Sequence, residues 1–403
     1  MAPSGDRISQ RLSRVESELK AFEFQHAGEI IFGNGRISEV GSIVSRFGRR
    51  CLIVSGPRRG ALRDLYPIVG DLLEHLGLRW EHFDGVVPNP TVELISTGSK
   101  LAKRFEADVI LGIGGGSSLD AAKAIAVEAT HEGTSWDYLF FKRKPSNKTL
   151  PVVAVGTTSG SGSHATQVAV VTDTASRKKS ELCDDHLIPR AAIVDPQLTL
   201  SVPPDVTAAT GFDVFCHAFE SILNPRSNAV TELLAWEAIR RVVNDLPAAV
   251  LGGSDLSARS SLAWADTLAG MSICRAGVVL PHGIAMAVGG MFPNASHGKA
   301  LASVYRACLE FTWDSAVSRF AALARVLDPN FADVPDSDAA AACPALLQEF
   351  LIGIGLTCSL RDFGISKETI PVLAKQSMVL PDYSRNPKVP TPTEMTEIIA
   401  ASL

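Results

Sequence analysis

No C-x-x-C pair occurs in the 403 residues, although seven cysteines are present: Cys51, Cys183, Cys216, Cys274, Cys308, Cys343 and Cys358. Odd in number and scattered, they read as reduced thiols in a cytoplasmic setting rather than as a disulfide framework. Long apolar runs are also missing. The longest, Ala276 to Phe292, is broken by Pro281, His282 and several glycines, which makes a poor membrane span. Neither sign of charge dominates: 38 Lys and Arg against 43 Asp and Glu give a net charge of -5. Nothing in that balance recommends nucleic acid or an anionic membrane as a partner. Met1 to Lys20 is polar, with no apolar stretch of the signal-peptide kind, and reads as a frayed or weakly helical extension. Internal repeats and low-complexity segments are absent as well.

What is present, 46% hydrophobic and 20% charged residues, describes a globular protein. The chain is too long for one core, so two domains are expected. Between Ile30 and about Pro196, short apolar runs alternate with helical stretches. Cys51 to Ser55, Val109 to Ile113 and Pro151 to Val155 read as buried strands; Asp64 to Gly77, Val92 to Phe105 and Leu119 to Ala129 read as helices. That alternation argues for a mostly parallel sheet covered on both faces. After about Leu200, helical patterns dominate: Val206–Leu223, Val230–Leu246, Ser257–Ala276, His297–Cys308, Ala316–Val326 and a C-terminal set. The expected division is an extension over 1–27, an α/β domain over 28–200 and an all-helical domain over 201–403. Val202-Pro-Pro-Asp marks the junction, with Asp205 or Thr207 expected to cap the first helix.

Two groups of residues carry chemistry. Asp213 and His217 lie four apart, which on a helix aims both at one spot. His282 and His297 follow, each before a glycine that lets a bulky centre approach the backbone. One hard oxygen and three borderline nitrogens suit Fe(II) or Zn(II), with a further position left for substrate. Cys216, inside the same helix, reads as a small buried apolar residue. Upstream, Gly114, Gly115, Gly116 and Ser117 follow a strand and open a helix, where glycine backbone and free N–H groups can meet a pyrophosphate. Asp120 either touches a ribose or favours the first helical turn. Lys123 reads as a helix-surface residue or local ion-pair partner. A second polar loop, from Thr157 to Ser163, follows another apolar strand, at the end of a sheet where open α/β folds bind ligands.

In order along the chain stand Ile31-Phe-Gly-Asn-Gly, Gly114-Gly-Gly-Ser-Ser-Leu-Asp-Ala-Ala-Lys, Thr157-Thr-Ser-Gly-Ser-Gly-Ser, Ile193-Val-Asp-Pro-Gln-Leu-Thr, Thr210-Gly-Phe-Asp-Val-Phe-Cys-His-Ala-Phe-Glu and the two His-Gly segments. With these motifs the chain resembles the iron-containing, group III alcohol dehydrogenases of the dehydroquinate synthase-like superfamily, almost from end to end. The resemblance implies a metal-dependent, NAD(P)-linked oxidoreductase that interconverts a small alcohol and its aldehyde. A homodimer is the default expectation, since edge strands of such sheets often pair. It places Asp213, His217, His282 and His297 on the metal, Gly115, Gly116 and Ser117 on the pyrophosphate, Thr157, Thr158 and Ser161 along the nucleotide cleft, and Lys179 near the nicotinamide ribose. Three positions depart from the family pattern. Gly56, followed by Arg58 and Arg59, replaces an acidic residue after the first strand, which favours NADP(H) over NAD(H). His164 stands where Glu is usual. Met286 replaces a histidine near the substrate, and a thioether relays no proton. Arg275 and Lys179 near the cleft would suit an anionic aldehyde, such as one bearing carboxylate or phosphonate. The alternatives are a metal-independent reductase of the maleylacetate reductase kind and a lyase of the dehydroquinate synthase kind.

Overall fold

The computed structural model describes residues 21–26, 28–58 and 62–403; most of the expected N-terminal extension, and Arg59, lie outside them. Eight strands are formed: β1 (Glu29–Phe32), β2 (Arg50–Ser55), β3 (Arg79–Phe83), β4 (Val109–Gly114), β5 (Val152–Gly156), β6 (Val168–Asp173), β7 (Lys178–Cys183) and β8 (Ala191–Val194). Six of them make a parallel sheet in the order β1-β8-β5-β4-β2-β3. β2, β4 and β5 are apolar and buried almost throughout, because helices cover both faces. The edge strands β1 and β3 had no such signature. β3 reads Arg-Trp-Glu-His-Phe and is only half-buried, so apolar runs do not reveal it.

The sheet is flanked by α1 (Val40–Val44), α2 (Leu65–Glu74), α3 (Val92–Phe105) and α4 (Gly116–Glu128). The chain runs outward from β2 to β3, then returns past β2 to β4 and proceeds the other way. The crevice at such a reversal lies beyond the carboxyl ends of the strands. Gly56 after β2 and Gly114 at the end of β4 border it. Helix α4 begins at Gly116, three residues before the expected Leu119, since the poor helix formers Gly and Ser hide the first turn in the sequence.

The second half is built of α5 (Pro204–Leu223), α6 (Ala229–Leu251), α7 (Leu256–Ala276), α8 (Leu280–Met291), α9 (His297–Thr312), α10 (Val317–Leu327), α11 (Asp336–Gly353), α12 (Ile370–Ser377) and α13 (Pro392–Ala401). Asp205 and Thr207 do not cap α5. Pro203 precedes its first turn without a side-chain bond, Asp205 lies within that turn, and the Thr207 hydroxyl donates to the Val202 carbonyl. Helix α8 was not expected, its pattern being obscured by Pro281 and three glycines. Pro281 falls in the first turn, where the missing N–H costs nothing. No single helix among the described residues is long and apolar enough to cross a membrane, and α7 and α8, which pass that test only as a pair, meet at 99°.

Helix α5 is buried on nearly all sides, with two faces of opposite character. Phe212, Phe215 and Phe219 point one way and pack on Tyr305 and Phe320, with ring centroids 5.2–6.3 Å apart. These rings set the rotation of the helix, and truncating one such fully buried ring costs about 3–5 kcal/mol. Asp213, His217 and Glu220 lie along the other face.

Candidate active site

Helix spacing brings Asp213 and His217 together as expected, and the starts of α8 and α9 add His282 and His297. One donor atom from each of Asp213, His217 and His282 lies within 4.8 Å of the others. Asp213 Oδ1 stands 3.7 Å from His217 Nε2, 3.5 Å from His282 Nε2 and 3.7 Å from His297 Nε2. Four donors at about 2.1 Å from a tetrahedral centre sit about 3.4 Å from one another, close to these separations. Asp213 Oδ1 and His282 Nε2 are buried without a hydrogen-bond partner. An orphaned carboxylate oxygen ringed by imidazole nitrogens fits a divalent cation.

The far side of two rings is fixed. His217 Nδ1 lies 3.2 Å from the Gly160 carbonyl, and His282 Nδ1 lies 2.7 Å from Glu220 Oε1. Both acceptors need an N–H on Nδ1, which turns the Nε2 lone pairs toward Asp213. Glu220 also accepts the amides of Val279 and His282, so it pins the first turn of α8 as well as the ring. Before a cation binds, burial opposes charge on His282, yet Glu220 and Asp213 overcome it and raise its pKa to about 10, so a metal would displace the Nε2 proton to reach that lone pair. Burial likewise pushes Asp213 up, and the three histidines outweigh it to hold the carboxyl well below its usual range. Burial draws His217 down to about 4. The side chains of Asp213, His217 and His282 are at most 9% exposed, whereas His297 is 27% exposed and marks the open side of the cluster.

A Cβ on Gly298 would strike the Ala209 backbone of α5, so this glycine lets α9 approach α5 rather than a bulky centre approach the backbone. A Cβ on Gly283 would make only ordinary contacts of 3.5 Å with Ser377 and Tyr383, so the packing there leaves room for one.

Across the crevice, the loops after β4 and β5 are pressed together. Thr157 N donates to the Gly114 carbonyl at 3.0 Å. A Cβ on Gly115 would lie 3.0 Å from Thr158 Oγ1, and one on Gly116 would lie 2.7 Å from Ser161 Cβ. Gly115 caps α4 with no side chain to satisfy the first-turn amides, so those of Gly116 and Ser117 are left for an anion. Asp120 commits both oxygens to the protein: Ser163 Oγ donates to one at 2.7 Å and the Val170 amide to the other at 3.1 Å. Lys123 is not on the surface. It is 0% exposed, and its amine donates to the carbonyls of Thr166 and Val168 and to Thr166 Oγ1.

Lys179 reaches the site on a hairpin, β6–β7, that docks on α8. A Cβ on Gly290 would be 2.9 Å from Lys179 N, so only glycine lets this backbone in. The Lys179 amine donates to Asn89 Oδ1 at 2.9 Å, and its charge acts on Asp213 and His297. A concavity of about 290 Å³ beside it is lined by Lys179, Gly283, Ala287 and Leu380, among others.

The family is decided by two matches that run through both groups of residues. Residues 27–196 match the family description for iron-containing alcohol dehydrogenase, and 207–403 match that of the family's C-terminal region. The chain belongs to the iron-containing alcohol dehydrogenase family. It is an alcohol dehydrogenase, an enzyme of the oxidoreductase class. Among curated relatives it is similar to a choline dehydrogenase of Bacillus subtilis (strain 168), with 32% identity over 93% of each chain. It is also similar to an NAD-dependent methanol dehydrogenase of Bacillus methanolicus, with 31% identity over 93% of this chain and 97% of that one. The crystal structure of an archaeal halo-thermophilic alcohol dehydrogenase from a Red Sea brine pool superposes with a TM-score of 0.90 and 31% identity, covering 95% of this chain and all of that one.

In this dehydrogenase Gly56 directly follows β2. Arg58, the cation that follows, is paired with Asp84 at the end of β3 across 3.4 Å. Arg275 is committed to Asp185 and to the Gln25 carbonyl, leaving Lys179 as the one of those two cations that meets the cluster. Met286 is buried one turn after His282. All seven cysteines are unpaired, and Cys216 is buried as expected. Three supporting residues were not anticipated. Glu220 has a readable signal, since it continues the stripe of Asp213 and His217. Asp266, the one acidic residue within α7, accepts the Gly162 amide at 2.8 Å. Asn89, in the loop after β3, left no signal; it links Lys179 to the Pro293 carbonyl.

Proposed function

We propose that this alcohol dehydrogenase holds Fe(II) or Zn(II) on Asp213, His217, His282 and His297 and couples it to NADP(H), with NAD(H) the weaker cofactor. The substrate is a small alcohol or its aldehyde. What carries the reading is the convergence of three imidazole nitrogens on the unpartnered Asp213 oxygen, open on the His297 side toward the cleft. When bound, the cation supplies Lewis-acid polarisation of the substrate oxygen, and the nicotinamide supplies or accepts the hydride.

The chain's own residues orient and enclose these groups. Gly114, Gly115, Gly116 and Ser117 offer backbone amides and the positive end of α4 to the pyrophosphate. Thr157, Thr158 and Ser161 wall the crevice and press on those glycines. Asp120 holds this wall in place through Ser163. Lys179, fixed by Asn89, sets a positive charge beside the cluster, where it favours the nicotinamide ribose. Gly56 leaves no carboxylate to repel a 2′-phosphate, and Arg58 supplies a cation once its pairing with Asp84 is exchanged for phosphate. Met286 carries no proton and makes its side of the pocket apolar.

The test compares NADPH and NADH oxidation by the purified enzyme with a series of short aldehydes, neutral and anionic. Higher kcat/KM with NADPH and a preference for neutral aldehydes are expected. Faster turnover with NADH would overturn the cofactor assignment, and no turnover with any aldehyde or alcohol would overturn the substrate class.

A further inference from the structure

The loop Thr157–His164 belongs to the nucleotide half, yet it is clamped between two helices of the metal half. Gly160 lies against Thr210 of α5, where a Cβ would be 2.7 Å from Thr210 Cβ. Gly162, with φ +60°, lies against Gly270 of α7, where a Cβ would be 2.6 Å from Gly270 Cα. Within this clamp stands one buried carboxylate, Asp266, 2% exposed, which accepts the Gly162 amide at 2.8 Å. The three residues Gly160, Ser161 and Gly162 therefore do three jobs in a row. The Gly160 carbonyl orients the His217 ring, Ser161 seats on Gly116 of the pyrophosphate loop, and the Gly162 amide anchors to Asp266.

The far side of Asp266 is also defined. His164, 4% exposed, lies with Nδ1 3.8 Å from Asp266 Oδ2 and Nε2 2.9 Å from Thr267 Oγ1. Thr267 gives its single hydroxyl proton to the Ala263 carbonyl at 2.9 Å, so it accepts from His164 Nε2. A neutral His164 then turns a bare Nδ1 toward Asp266. At 3.8 Å that nitrogen makes no hydrogen bond to Asp266, so the position needs an acceptor on the Gly162 side and no charge on the His164 side, a pattern that an amide also meets.

We propose that Asp266 is a positioning residue that ties the nucleotide loop to the metal ligand His217, so that nucleotide and metal each tighten the binding of the other. The inference rests on the metal and nucleotide assignment above. One short backbone segment supplies both contacts, so setting it in place for one ligand sets it in place for the second. Reciprocity then requires the same factor in both directions.

The experiment uses full-length, chelator-stripped protein. Zn(II) affinity is read by competition with a chromophoric chelator and NADPH affinity by calorimetry, each with and without the other ligand. In the wild type each ligand is expected to tighten the other by the same factor, within the roughly 5–150-fold range of such couplings. In Asp266→Ala, Zn(II) affinity should fall by about 10-fold or more and the coupling should drop toward unity. Asp266→Asn should restore both to within about twofold, because it keeps the hydrogen-bond pattern without the charge. Wild-type coupling in Asp266→Ala overturns the inference, as does lost coupling in a folded Asp266→Asn. If Asp266→Ala fails to fold, the Asp266→Asn result alone decides. A wild-type chain that binds both ligands with no coupling sinks this inference only. One that binds neither sinks the metal and nucleotide assignment with it.

Discussion

Around the donor cluster, rings are held by single strong acceptors: His282 is gripped by Glu220, His217 by the Gly160 carbonyl, and Asp213 is ringed by all three imidazoles. Across the crevice the material is different. The loops after β4 and β5 present glycine backbone and small hydroxyls, and what shapes them is the room that missing Cβ atoms leave. A cation needs a few strong donors aimed from fixed rings, so replacing one donor removes a large share of its affinity. An extended dinucleotide spreads its contacts over many weak amides, so single changes there act through shape and are graded.

The contrast is broken most severely at Asp213. Asp213→Ala removes the one oxygen to which all three histidines point. Metal affinity should fall by more than the roughly 100-fold that the loss of a supporting residue costs, while NADPH binding to the stripped protein stays within a few-fold. Calorimetric titration of both ligands separates the two effects. Next comes Glu220→Ala. It frees the His282 ring and orphans the Val279 amide, so metal affinity should drop by about 10–100-fold, as read by chelator competition. Equal metal affinity in that variant would show that the ring is held by packing alone.

On the nucleotide side, Gly116→Ala places a Cβ 2.7 Å from Ser161 Cβ. The loops must part at a cost of about 1–3 kcal/mol, weakening NADPH most and, because Ser161 adjoins the Gly160 carbonyl that orients His217, lowering Zn(II) affinity to a smaller degree. Gly56→Asp is the mildest change. It should raise the Kd for NADPH and lower that for NADH, shifting their ratio by about 10-fold, or about 1.4 kcal/mol. An unchanged ratio would place the adenosine ribose away from the end of β2.

The two regions also differ in how far they could be read in advance. Asp213 and His217 were legible because one helix carries both at a spacing of four, and the flanking motifs marked His282 and His297. The purpose of Gly298 was not legible, since a close helix approach and a close ligand approach leave the same residue type. The glycine loop after β4 was visible in its strand-to-helix setting. That Thr158 and Ser161, expected along the cleft, press directly on these glycines was not, because the contact depends on how β5 aligns with β4. Lys123 was misplaced for a similar reason: its amine finds three oxygens only once the segment after His164 folds over α4. The β6–β7 hairpin escaped notice because β7 reads Lys-Lys-Ser-Glu-Leu-Cys, which contains no apolar run. Only that hairpin sets Lys179 opposite the donor cluster.

The most direct test of the account titrates metal back into the stripped enzyme while bound metal and aldehyde reduction are measured in the same sample. Activity should start near zero, rise in proportion to bound Fe(II) or Zn(II), and level off at one ion per chain. Full activity before any metal is added would contradict the assignment and leave the reaction to positioned side chains alone.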